Sequence, residues 1–249
     1  MKKSLIALAV LGVLSMANAH DFWLVGENGE KLNVNIGFGH DFPNPEPIDK
    51  ERANNFEIPV IFSKSGEKVT LKQKGENYHF EGKKLKEGTY TVIGEYKPTF
   101  WTEDTDGNWS MGKTKQNIKN AKFCRRATMS AKTLINVGAG DDFITKPAGQ
   151  RLEIVPLENP ANFKVGEPFK IKVLFEGKPL KFAKIDGTFD GFLKEKSAFH
   201  ATTDLKGESE VLALRGGKWV FKVVHKFPFA DPKTCDEETA IASFTFEIK

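Results

Sequence analysis

Only two of the 249 residues are cysteine and four are methionine, and no apolar run beyond the first 14 positions approaches the length of a membrane span. Two cysteines exclude a disulfide framework and a four-cysteine zinc site. A surplus of one charge is also missing. Lys and Arg number 37 and Asp and Glu 33, a net +4 spread along the chain, so no nucleic-acid partner is expected. There is no glycine-rich phosphate loop, no nucleophile elbow and no H-E-x-x-H pair. With 33 acids in the chain, paired carboxylates single out nothing. No catalytic residue emerges, and the chain is not read as an enzyme. What is plentiful is Phe, at 21, and Gly and Pro, at 22 and 12, a usage that suits β-strands broken by many turns.

Residues 1–19 read as a secretory signal peptide. Met1-Lys2-Lys3 is a basic start, Leu5 to Leu14 is apolar throughout, and Ala17-Asn18-Ala19 has the small-x-small form of a cleavage site. Ten apolar residues are too few to cross a bilayer. No Cys follows the cleavage site, so no lipid anchor is expected and the mature chain should not insert into the membrane. The expected location is the periplasm, with net charge reduced to 35 − 33 = +2. An oxidising compartment favours a disulfide between Cys124 and Cys235, with two free thiols or a thiolate metal ligand as alternatives. Acids at 231, 236, 237 and 238 surround Cys235 and oppose a reactive thiol.

Cleavage after Ala19 would make His20 the first residue, offering one metal ion both an α-amine and an imidazole. Both must shed protons to bind, and an α-amine titrates near roughly 7.7–8.0, so the proton cost at neutral pH is small.

The remainder reads as all-β, with two β-sandwich domains: 20–148, carrying the metal site, and 149–249, immunoglobulin-like or transthyretin-like. Leu32, Val34, Ile36 and Phe38 alternate with Asn33, Asn35 and Gly37, the period of a strand buried on one face. Phe22 to Val25 is a preceding strand, and Asn28-Gly29 is a hairpin signal. Residues 41–59, with four prolines, read as an irregular loop. Ile58–Phe62, Val69–Lys72 and Gly88–Tyr96 read as strands; Phe123–Val137 fits a helix or a strand pair. Gly138–Gly149 is a Gly/Asp/Pro-rich connector and the expected boundary. Phe169–Phe175, Val211–Leu214, Trp219–His225 and Ser243–Ile248 read as strands of the second domain.

There are five histidines. His40 extends the apolar parity of Leu32 to Phe38, and His225 extends that of Trp219, Phe221 and Val223, so both belong at the rim of an apolar face. His79 and His200 alternate with apolar neighbours and read as surface groups. A two-residue turn at Asn28-Gly29 makes facing residues sum to 57. His20 then lies opposite Gly37 and at most roughly 10 Å along the strand from His40. A bend at Gly39 would bring both to one ion, and His225 would supply a third imidazole. Such a nitrogen-rich site suits Ni²⁺, Cu²⁺ or Co²⁺. Asp21 and Asp41 are candidates to orient the rings from behind. Trp23 and Trp101 read as core or site wall.

Five segments carry a family resemblance: AHDFWL, FGHDFPNPEP, KEGTYTVIGEYKPTFW, GQRLEIVPLENPANFKVGEPFKIKVLFEGKPL and TTDLKGESEVLALRGGKWVFKVVH. Together they resemble the bacterial DUF4198 family over nearly the whole mature chain. The resemblance implies a periplasmic component accompanying energy-coupling-factor-type nickel or cobalt transporters. It therefore implies an inner-membrane transporter complex as partner and His20, His40 and His225 as metal ligands. Two other readings compete. One is a histidine-brace copper oxidase built on His20 and a second His. The other is a secreted carbohydrate-binding or adhesion module with Trp101 and Trp109 as stacking platforms.

Overall fold

The computed structural model describes residues 20–76 and 78–249; the expected signal peptide lies outside them. Among the described residues the chain runs through β1 (Asp21–Asn28), β2 (Leu32–Gly39), β3 (Val60–Ser63), β4 (Lys72–Gln73), β5 (His79–Gly82), β6 (Gly88–Asp104), β7 (Trp109–Met111) and β8 (Ala121–Val137). It continues through β9 (Leu152–Pro156), β10 (Pro168–Phe175), β11 (Lys178–Pro179), β12 (Lys184–Phe189), β13 (Phe199–Thr202), β14 (Glu208–Leu212), β15 (Gly217–Pro228) and β16 (Glu237–Ile248). One turn of helix, α1 (Lys50–Ala53), and two short 3-10 turns complete it. No helix of the described residues is long and apolar enough to cross a membrane.

Three sheets make two sandwiches. The largest runs β13-β12-β15-β16-β8-β6-β3, with β7 on the far part of β6. Its centre is the parallel pair β8–β16, which aligns Arg125 with Glu237 and continues to Thr133 and Thr245. Strands from both halves of the sequence therefore share one sheet, and the Gly138–Gly149 connector lies between β8 and β9. The sheet β1-β2-β5-β4 covers one part of the large sheet, burying Phe22, Leu24, Val34 and Ile36 against Tyr90, Val92, Met129 and Ala131. The sheet of β9, β10, β11 and β14 covers another, burying Ile154, Ile171, Val173 and Val211 against Phe221, Phe244 and Phe246.

Strand β8 settles the ambiguous Phe123–Val137 segment as one long strand. Met129, Ala131 and Ile135 face the first core, while Leu134 packs on the second. A strand covered on both faces loses the simple alternation that marks a half-exposed one. Lys132, fully buried, pairs there with Glu153 at 2.8 Å. Glu153 also accepts from the backbone N–H of Ala148 (2.7 Å) and Gly149 (3.0 Å), which ties the connector down. Cys124 of β8 and Cys235, just before β16, are disulfide-bonded with Cα atoms 4.8 Å apart. In the chain-entropy picture, a link across 111 residues is worth about 4–5 kcal/mol.

The first hairpin departs from its expected register. Asp21 faces Gly39 and Asn28 faces Leu32, so facing residues sum to 60 and Gly29-Glu30-Lys31 form a three-residue connection. Asn28 belongs to the strand because its side chain is engaged elsewhere. Its Oδ1 accepts from Leu85 N–H (2.7 Å) and its Nδ2 donates to Leu85 O (3.2 Å). The corrected register continues one step further, to 20 + 40 = 60, and sets His20 directly across from His40.

Candidate metal centre

Two strand ends and one returning loop build the site. His20 immediately precedes β1 and His40 immediately follows β2. Their rings lie with centroids 4.2 Å apart, and the His20 ring stacks on Phe38 at 4.6 Å, nearly parallel. After His40 the chain makes a tight turn: Asp41 O accepts from Asn44 N–H at 2.6 Å, across a cis Phe42–Pro43 bond. The chain then folds back, and Glu46 N–H donates to Phe38 O at 2.8 Å. Gly39 permits that return, because a Cβ there would meet Glu46 Cγ at 3.0 Å and its backbone N at 3.1 Å.

Glu46 is thereby delivered between the two imidazoles. Its Oε2 lies 3.1 Å from His20 Nε2, and its Oε1 lies 3.0 Å from His40 Nδ1 and accepts the His40 backbone N–H at 3.1 Å. One candidate ligand atom from each of His20, His40 and Glu46 falls within 4.8 Å of the others. Electrostatics favours the forms that bind metal. Burial, with the charges of His40 and Arg52, lowers the His20 pKa against the opposing pull of Glu46. The hydrogen bond to His40 leads in holding Glu46 below the ordinary carboxylate value. A neutral imidazole and an ionised carboxylate are the ligand states of these side chains.

His225 is not part of this group. It pairs across strands with Ala240, and Ala240 faces the second core, whereas Thr239 and Ile241 line the cavity beside His20 on the other face of the sheet. Parity thus sets His225 on the opposite face from His20 and His40. Its ring packs on Phe175 and Phe227, with centroids 4.7 and 5.3 Å away. Burial and the nearby Arg151 lower its pKa. The expectation of a third imidazole ligand was right about the apolar parity and wrong about which core that parity faces.

Asp21 and Asp41 do not orient the rings either. Asp21 forms an ion pair with Lys222 at 2.6 Å, and Asp41 closes the turn with Asn44. Glu46 takes the place assigned to both. His79 bonds Asn35 Oδ1, and His200, with 71% of its side chain exposed, pairs with Asp186 at 2.6 Å. Trp23 is core, edge-on to Phe42 at 5.6 Å. Trp101 is wall: with Trp109 and His20 it borders a cavity of about 290 Å³. A larger recess of about 470 Å³ surrounds the turn end of β1 near Asn28, and no histidine lines it.

The D0-D1 domain of intimin aligns with 91% of this chain and 97% of its own, at 14% identity and a TM-score of 0.22. A likeness that low carries no argument about function. Comparison with curated proteins returns no match. The model of the domain of unknown function DUF4198 matches residues 17–227, most of the sequence. The chain belongs to the DUF4198 family.

Proposed function

We propose that this protein is exported, loses its first 19 residues, and captures a divalent transition metal in the periplasm for delivery to an inner-membrane transporter complex. Ni²⁺ is the favoured cargo, with Co²⁺ and Cu²⁺ as alternatives. The observation that carries this reading is the convergence of His20, His40 and Glu46 within 4.8 Å. After cleavage behind Ala19, the His20 α-amine would add a third nitrogen. Three nitrogens and one carboxylate suit the later first-row divalent ions. Nitrogen donors alone rank Cu²⁺ above Ni²⁺, so selection of nickel would rest on geometry and supply. The cation would enter a site whose carboxylate is ionised and whose His20 ring sheds its proton readily, so little proton competition opposes binding.

The test is titration of protein beginning at His20 with Ni²⁺, Co²⁺, Cu²⁺ and Zn²⁺, beside a twin carrying one extra N-terminal Gly. The expected result is one tight ion per chain and at least about tenfold weaker binding by the twin, equivalent to about 1.4 kcal/mol. Equal binding by both would remove the amine from the site. Absence of binding would overturn the metal reading. Copper preference accompanied by peroxide or oxygen turnover with a reductant would replace the carrier with a copper enzyme.

A further inference from the structure

Beside the metal cluster lies the cavity of about 290 Å³ that His20 borders. Its chemistry differs from that of the cluster. Two arginines line it. The guanidinium of Arg52 lies 5.1 Å from the Trp101 ring centroid and 5.8 Å from that of Phe38. That of Arg125 lies 5.0 Å from the Trp109 ring. Neither guanidinium has an ion pair or hydrogen bond with a described residue, and the buried Nε of Arg125 has no acceptor. Glu237, whose charge acts on Arg125, is held by Thr239 Oγ1 at 2.9 Å and by Lys226 at 3.6 Å. The buried Nε of Arg126 also has no acceptor, but the charges of Arg126 and Arg151 are both paired with Glu238.

An arginine stacked on an aromatic face keeps its in-plane N–H edge free for a planar anion, and the bidentate match is to a carboxylate. A buried donor without an acceptor costs free energy that a ligand would recover. The walls between the two arginines are indole, phenol and thioether, from Trp101, Trp109, Tyr96 and Met129, suited to an organic body rather than to water. His20 belongs to both the cavity and the metal cluster.

We infer that the protein takes up its metal as a complex with a small carboxylate chelator, whose carboxylate seats on Arg52 and Arg125 while the ion sits on His20, His40 and Glu46. This rests on the metal-capture reading above and adds the chemical class of the co-ligand. The chelator fills coordination positions that the protein leaves open, and the cavity holds its carbon frame against Trp101 and Trp109. Binding of ion and chelator is reciprocal: each raises the affinity for the other by the same factor.

The experiment follows tryptophan fluorescence and calorimetry of the disulfide-intact protein beginning at His20. Ni²⁺ is added alone, with citrate, with L-histidine and with inorganic phosphate, always at matched free Ni²⁺. Citrate or L-histidine is expected to strengthen Ni²⁺ binding by about tenfold or more. Arg52→Gln with Arg125→Gln should abolish that gain, while Ni²⁺ alone should bind no more weakly than in wild type, because the Arg52 charge felt at His20 opposes a cation. Arg52→Lys with Arg125→Lys keeps the charge without the planar fork and should retain only part of the gain. The Lys pair also carries the test if the Gln pair fails to fold, as read by circular dichroism. If citrate and L-histidine leave the affinity unchanged or lower it at matched free Ni²⁺, alike in wild type and variants, the inference is overturned. It is also overturned if phosphate matches them, which would reduce the cavity to a general anion site. If Ni²⁺ binds under no condition, the metal reading has failed by itself, and citrate without metal decides the cavity. Quenching that the Arg variants lose upholds a carboxylate pocket, and no quenching overturns it.

Discussion

Replacing Glu95 with glutamine should stabilise the protein, and by an amount that depends on pH. Glu95 sits in β6 opposite Ser130, and Gln150 Nε2 donates to its Oε1 at 2.7 Å. Burial pushes its carboxyl from 4.5 up to about 7; the Gln150 bond opposes the rise, and the charges of Glu57 and Glu153 add to it. The folded state therefore holds a proton that the unfolded chain has already released between pH 4.5 and 7. Stability falls as pH rises through that window. At about 1.4 kcal/mol per unit, 2.5 units amount to about 3 kcal/mol lost by pH 8. Glutamine is close in shape to the protonated acid, keeps an oxygen for Gln150 and never ionises. Denaturant unfolding at pH 4.5, 6, 7 and 8 should find Glu95→Gln within about 0.5 kcal/mol of wild type at the lowest pH and about 2–3 kcal/mol more stable at the highest. A difference that stays constant across these pH values would refute the reasoning, since no proton would then be linked to folding at this residue.

Three further outcomes follow from single contacts. Lys132→Met leaves Glu153 charged and buried with only two backbone donors, and should cost about 3–5 kcal/mol in urea unfolding. Gly37→Ala drives a Cβ into Nε1 and Cε2 of the Trp23 indole; thermal and urea unfolding should show a loss of about 3 kcal/mol, and Ni²⁺ affinity should fall because the same hairpin sets His20 against His40. His225→Ala should leave Ni²⁺ affinity within about twofold of wild type by calorimetry while costing about 1 kcal/mol of stability through its contacts with Phe175 and Phe227.

The residues that could be read from sequence are those whose environment is one-sided. Leu32, Val34, Ile36 and Phe38 alternate because β2 has one buried face, and the parity that placed His40 at its rim needed no distant information. The Cys124–Cys235 pair followed from there being two cysteines and an expected export signal. The remainder depended on distant partners. Phe123–Val137 lacks a clean period because β8 is covered on both faces, and its parallel partner β16 is remote in sequence. The hairpin register shifted by three because Asn28 is committed to Leu85, a contact that no turn preference contains. Glu46 was one acid among 33 until the turn at Asp41–Asn44 showed where the chain returns. His225 illustrates the converse error: strand parity says that a side chain faces a core, but in a molecule with two cores it does not say which.

With the proposed cleavage behind Ala19 the site would stand at a chain end, and chain ends fray unless something ties them down. Here the ties are specific. Phe22, Trp23 and Leu24 are all buried, Phe22 O accepts from Ser243 Oγ of β16, and Asp21 pairs with Lys222 of β15. The first strand is thus anchored to its hairpin partner and also to the large sheet. In the proposed metal site His20 would then meet His40 as a preorganised donor, and the ion would not bear the cost of ordering it. Asp21 therefore acts by anchoring, Glu46 by bonding both rings, and the two roles separate in measurement. Glu46→Gln removes a charged ligand of the proposed site and should weaken Ni²⁺ binding by at least about 10–100-fold, the range for partners that only orient metal-bound histidines. Asp21→Asn should weaken it by no more than about fivefold, the equivalent of the roughly 1 kcal/mol that a part-exposed ion pair supplies. If Asp21→Asn instead matched Glu46→Gln, Asp21 would be orienting a ring after all. The hydrogen-bond pattern around His20 and His40 would then have to rearrange when the ion binds.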